Sequence, residues 1–283
     1  MDPRIQELYS LMRHVFNQPP LPIRQFTLGP EDRDLVRKYA EEPSNFDDDS
    51  DGSAKRGSAA SYGDSYRSDT FQTGPIAGFK VGQHTMYIIG QPQAPIPMKL
   101  YARALQAMAD GKSYTVFLFL NPSKRIFPPK GDQVGPKNIN GGYCMMCQPN
   151  TIVVYREEDS LRVLIHELQH AGCCDDPKKP VEAVEAETEA WAELIYAMLL
   201  ACSTGLKPEA AWRIQSSWAT GQNKRLINEF GVRAPEDYAW RYTVGKEAVW
   251  RRWNLPLGAP AVTKGSLRLG APEEKFYRAA GKN

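Results

Sequence analysis

Two histidines four residues apart, His166 and His170, enclose a glutamate in the stretch Val163-Leu164-Ile165-His166-Glu167-Leu168-Gln169-His170-Ala171. Its apolar periodicity predicts a helix, on which positions i and i+4 share one face. Two imidazoles on one face can hold one Zn²⁺, with Glu167 beside them as general base toward a water on that metal. A solvated helix carrying two histidines by accident would show the same pattern. A third ligand separates the two readings.

The chain has 4 histidines, and the other two, His14 and His84, lie upstream. A nearby downstream ligand must therefore be a carboxylate or a thiolate. The following segment, from Val181 to Glu193, is rich in Ala and Glu, with Pro180 at its start and no Pro or Gly before Cys202. It predicts a helix bearing Glu182, Glu185, Glu187, Glu189 and Glu193.

With the string Thr188-Glu189-Ala190-Trp191-Ala192, residues 163–193 resemble the gluzincin metallopeptidases, the thermolysin and zinc-aminopeptidase group. The resemblance implies an α+β fold with a zincin-like catalytic domain: a small mixed sheet, the metal helix and a ligand helix, followed by a mainly helical C-terminal part. It implies Zn²⁺ held by His166, His170 and Glu189, with Glu167 as the base. It also implies that Glu193, four residues beyond the ligand, orients His166 as an outer carboxylate. Glu182 and Glu185 are left as a solvated acidic face. Asp176 stands where compact zincins place their third ligand, but those families need a Gly where this chain has Cys173. Gluzincins take an oxyanion donor from the C-terminal part. No His remains there, so the candidates are Tyr242, then Tyr238, then Arg241.

The elements that must position these residues can be read in order. Helices are predicted at 3–16 and 30–41, then a Ser, Asp and Gly-rich linker within 42–75 that reads as disordered. Inside it, residues 47–52 mimic the opening of a calcium loop but read as a solvated acidic run. Strands follow at 78–81 and 85–89, a helix at 97–110, a buried strand at 114–120, and a long Pro- and Gly-rich loop at 121–142. The strand at 151–155 is either the edge that binds an extended peptide in zincins or an ordinary internal strand. Glu157 to Ser160 are expected to cap the metal helix. Further helices are predicted at 207–230 and 235–253, before a tail of little periodicity. The expected organisation is an N-terminal helical segment (1–41), the linker (42–75), the catalytic domain (76–205) and a helical C-terminal subdomain (206–283).

Five cysteines occur as Cys144-x-x-Cys147, Cys173-Cys174 and Cys202. Unlinked thiols are the expectation, with a structural four-cysteine metal site or a disulfide as alternatives. A net charge of +2 gives no strong nucleic-acid signal. The absence of a secretory leader or a bilayer-length apolar run leads to the expectation of a cytoplasmic protein, of cellular or viral origin. The function expected is hydrolysis of a peptide or protein substrate. The alternative is a structural or interaction protein whose zinc is closed off by Asp176, Cys173 or Cys174.

Overall fold

The computed structural model describes residues 2–41, 60–148 and 151–282. Among them are a six-stranded mixed sheet and ten helices. The strands are β1 (Ile23–Phe26), β2 (Ile76–Val81), β3 (His84–Ile89), β4 (Thr115–Phe119), β5 (Gly142–Cys144) and β6 (Thr151–Val154), in the order β1-β2-β3-β4-β6-β5. The central pairs β3/β4 and β4/β6 are parallel, whereas both flanks pair antiparallel.

Alternation along the central strands supplies both apolar faces. Met86, Ile88, Val116, Leu118, Ile152 and Val154 point into the larger core, with α4 (Met98–Met108), α6 (Ser160–Ala171) and α7 (Val181–Thr204). Their neighbours Tyr87, Ile89, Phe117, Phe119, Val153 and Tyr155 face the other way, toward α2 (Pro30–Glu41) and α3 (Ala60–Thr73). Side chains of adjacent strand residues must point to opposite faces, so a sheet covered on both sides needs apolar residues at every position. The core strands meet that demand.

The larger core also takes in α1 (Pro3–Asn17) through Ile5 and Met12, and α8 (Pro208–Glu229) through Trp212 and Trp218. A third cluster joins Ile139 of the short α5 (Pro136–Ile139) to Leu226, Val232, Ala239 and Leu269, with Tyr238 and Tyr242 packed against it. Two shorter helices complete the chain, α9 (Val244–Arg252) and α10 (Glu273–Ala279).

Several expectations change. Residues 60–73, read as part of a linker, form α3, while the acidic run at 47–52 lies outside the described residues. The loop expected at 121–142 contains α5 and leads into β5. The helix predicted at 235–253 is shorter, because turns occupy its first part before α9 begins at Val244. The strand at 151–154 is internal, flanked by β4 and β5, so the edge is β5. Three residues, the first a glycine that follows Gly141, carry too little periodicity to be recognised as a strand. No helix among the described residues is long and apolar enough to cross a membrane.

Candidate metal centre

All 12 residues of α6 are buried, which makes it the central helix of the larger core. Asp159 occupies its N-cap in the left-handed region (φ 65°) and makes no side-chain capping bond, contrary to the expected acidic cap. Its carboxylate instead accepts from Arg268 Nε at 2.7 Å and from the Gly270 amide at 2.9 Å. Burial pushes Asp159 up, but Arg268, Arg125 and Arg162 outweigh it and hold the carboxyl below the usual range. The start of the metal helix is thus tied to a segment more than 100 residues later, with separations of 109 and 111.

Helix α7 lies against α6, and their facing stripes match. Arg162, His166 and His170 repeat every four residues on α6, and Glu185, Glu189 and Glu193 do so on α7. Arg162 forms a buried ion pair with Glu189 Oε2, while Glu189 Oε1 lies 3.2 Å from His166 Nδ1. That second distance is in the ion-pair range but off the hydrogen-bond direction. At the other end, His170 Nδ1 and Asp175 Oδ2 are 2.6 Å apart, and the Thr188 hydroxyl donates to Asp175 Oδ1 at 2.9 Å.

With both Nδ1 atoms facing carboxylates, the Nε2 atoms converge, 2.9 Å apart. Glu185 Oε2 lies 3.4 Å from the first and 3.6 Å from the second. These three residues are the group among the described residues that could hold a metal ion. Three features support the fit. Glu185 Oε2 is buried without a hydrogen-bond partner. Ligand atoms about 2.0–2.2 Å from a tetrahedral ion stand about 3.3 Å from one another, close to the size of this triangle. An outer carboxylate behind each imidazole is also the usual arrangement around metal-bound histidines.

The triangle differs from the predicted ligand set at its third member. Glu185, assigned to the solvated face, sits at the Nε2 atoms, whereas both oxygens of Glu189 are turned to Arg162 and His166 Nδ1. Glu193, expected behind His166, lies one turn deeper, in contact with Lys246 and Gln215. Glu182 is drawn to Arg241 at 3.6 Å. Asp176 is exposed and accepts from the Lys178 amide at 3.0 Å; its neighbour Asp175 is the one that reaches His170. The repeat of Glu185, Glu189 and Glu193 opposite Arg162, His166 and His170 was a visible sequence signal. Asp175 carried none.

Burial pushes Glu185 up, but the two imidazoles facing it outweigh that cost and hold its carboxyl well below the ordinary range. Burial opposes a charged His170, yet Asp175 and Glu185 raise its pKa well above the usual value. For Glu167, burial dominates and raises the carboxyl, partly offset by His166 and His170 and reinforced by Glu185.

Glu167 and the triangle line a cavity of about 470 Å³ whose opposite wall includes residues 139–146. Gly142 is the close approach between wall and base. A Cβ there would stand 2.8 Å from Val153 O and 3.2 Å from Glu167 Oε1. The Cys144 thiol donates to the Glu167 carbonyl at 3.3 Å, and burial pushes that thiol up. Tyr238, Arg241 and Tyr242, the three expected oxyanion donors, all line the same cavity. The Tyr238 hydroxyl donates to Asn140 Oδ1 at 2.6 Å. Burial raises the Tyr242 phenol well above its ordinary pKa, and the nearby Glu185 charge adds to the shift.

Cys147 and Cys173 form a disulfide, Cys144, Cys174 and Cys202 are free thiols, and no four-cysteine cluster occurs among the described residues. The bridge joins the turn after β5 to the residues just past α6, where His170 O also accepts from the Cys147 amide at 2.9 Å. No family model, curated protein or solved structure matches the chain.

Proposed function

We propose that the protein is a zinc-dependent peptidase of zincin type, with His166, His170 and Glu185 as ligands and Glu167 as general base. The observation that carries this reading is the Nε2–Nε2–Oε2 triangle beside Glu167 in a cavity bounded by a sheet edge. The resemblance of residues 163–193 to gluzincins agrees with the chemistry, although the third ligand shifts from Glu189 to Glu185. Zinc held there would supply Lewis acidity, polarising a carbonyl and lowering the pKa of water.

The remaining steps belong to the chain. Glu167 takes the proton from the attacking water and passes it to the leaving amine. Tyr242, kept protonated at neutral pH, donates its hydroxyl toward the oxygen on which charge develops. Asp175 fixes the ring orientation of His170, and the Glu189 carboxylate faces His166 at its Nδ1. The substrate backbone pairs with β5. Tyr155 N–H donates to Gly141 O at 2.8 Å, so antiparallel alternation turns the polar groups of Gly142 away from β6 and toward an added strand.

The competing reading is a closed structural site. It is disfavoured because Cys173 is spent in a disulfide, Asp176 holds the Lys178 amide, and the free Cys174 neither joins the ligand triangle nor lines the cavity. The test is Glu167→Gln. Metal content and thermal stability should stay at wild-type values, while hydrolysis of a peptide library drops about 10²- to 10⁴-fold. Equal behaviour of the two proteins on every substrate would favour the structural site.

A further inference from the structure

Eight large apolar side chains are left exposed among the described residues, and three of them, Met145, Met146 and Val181, line the cavity of the metal centre. They are 39%, 47% and 38% exposed. Single exposed apolar residues are ordinary, but a group around one functional cavity marks a binding surface. Their backbones are fixed without help from the core. The turn carrying Met145 and Met146 is held by the Cys147–Cys173 bridge, by the Cys147 amide on His170 O, and by the Gln148 amide on Met145 O at 3.1 Å. Val181 is the first residue of α7, directly after Pro180.

Charge around the same mouth is already matched. Arg241, which lines the cavity, lies 3.6 Å from Glu182. A charged ligand side chain would have to compete with this pair, whereas an apolar one removes Met and Val surface from water at no such cost. Methionine also adapts to the shape of what it covers.

We propose that the cleft selects peptides with a bulky apolar side chain next to the scissile bond, seated between Met145 and Met146 on one wall and Val181 on the other. This rests on the peptidase reading, and the test separates the two. The probes are hexapeptides blocked at both ends and differing in one central residue: Leu, Ala, Lys or Asp. Binding is measured on metal-loaded Glu167→Gln protein by displacement of a fluorescein-labelled Leu peptide, and hydrolysis on the wild type.

The Leu peptide should bind and be cut at least about 10-fold better than the Ala peptide, the low end of what added methylenes contribute in an apolar pocket. The double change Met145→Ser with Met146→Ser should bring that ratio to within about 3-fold, and Leu at both positions should restore it. Both side chains are exposed, so neither pair of changes disturbs the core. Equal treatment of all four peptides, absence of binding, or an undiminished Leu preference in the Ser variant would overturn the proposal. Leu-selective binding without any hydrolysis would uphold the apolar seat at Met145, Met146 and Val181 and refute the peptidase reading. Hydrolysis without selectivity would do the reverse.

Discussion

Glu185 and Glu189 stand one helical turn apart, yet their removal should damage different properties. Glu189→Ala leaves the buried Arg162 guanidinium without its partner. Breaking a buried pair from one side costs about 3–5 kcal/mol. Asp159 Oδ2, 4.0 Å from Arg162 Nε, offers partial compensation, which points to the lower end, about 3 kcal/mol. The same change removes the carboxylate behind His166, which should weaken metal binding about 10- to 100-fold. Glu185→Ala should act the other way. Its Oε2 has no hydrogen-bond partner and its side chain is 18% exposed, while His170 keeps Asp175. Metal-free stability should fall less than in Glu189→Ala, because no buried guanidinium is stranded and His170 keeps Asp175, although the imidazole attraction that outweighs the burial of Glu185 is lost. Metal affinity should fall by more than the ~100-fold limit of an outer-shell change, because a ligand is lost. Competition with a chromophoric chelator gives the affinities, and urea unfolding in excess EDTA gives metal-free stability. If Glu189→Ala empties the site without destabilising the metal-free protein, and Glu185→Ala leaves the metal bound, the ligand assignment is wrong.

Other perturbations probe the surroundings of the site. Tyr242→Phe should retain metal and lower kcat about 10²- to 10³-fold, as loss of one oxyanion donor does; an unchanged kcat would remove Tyr242 from the mechanism. Reducing the Cys147–Cys173 bridge, which spans 26 residues, should cost up to about 3.5 kcal/mol by chain entropy, measured as the unfolding midpoint with and without a dithiol. Asp159 has a depressed pKa in the folded state. Its contribution is therefore present above its unfolded value of about 3.9 and is lost as pH falls through the lower folded value. Urea unfolding of Asp159→Asn between about pH 6 and 3 should show a shallower acid decline than wild type, and parallel curves would contradict the pairing with Arg268. Lys246→Met alone should destabilise by about 3–5 kcal/mol by stranding Glu193, whereas Lys246→Met with Glu193→Leu should recover most of that loss in the same assay.

The metal helix was legible because its evidence is local: a helical period, and two histidines and a glutamate at fixed offsets. The central strands were legible for the same reason, as runs such as Tyr114 to Leu120 can only be buried. The carboxylate beside the two Nε2 atoms was not. Glu185 and Glu189 share one face of α7, and choosing between them requires the axial offset of that helix against α6. The turn between the helices sets this offset, through Gly172, the bridged Cys173 and Asp175, and none of these announces a register. Family-like spacing selected Glu189, one turn along from the carboxylate that faces the two Nε2 atoms. The edge strand escaped notice because Gly142–Cys144 gains its identity from pairing with β6, not from its own composition. In α3, Ser, Asp and Gly hide the apolar minority, Tyr66 and Phe71, that packs beneath the sheet.

The tie between Asp159 and the Arg268–Gly270 segment has a consequence for synthesis. A nascent chain completed only through α7 already possesses His166, Glu167, His170 and Glu185. It still lacks Arg268 and Gly270, which hold the first turn of the metal helix, as well as Lys246 and Tyr242. Asp159 in such a chain is an acid without its nearest guanidinium partner, and Glu193 is an acid without an ammonium. Domains form as the required segments emerge. The ribosome therefore releases His166, Glu167, His170 and Glu185 long before the groups that lock their geometry, and the cavity they line is complete only with the C-terminal third of the molecule.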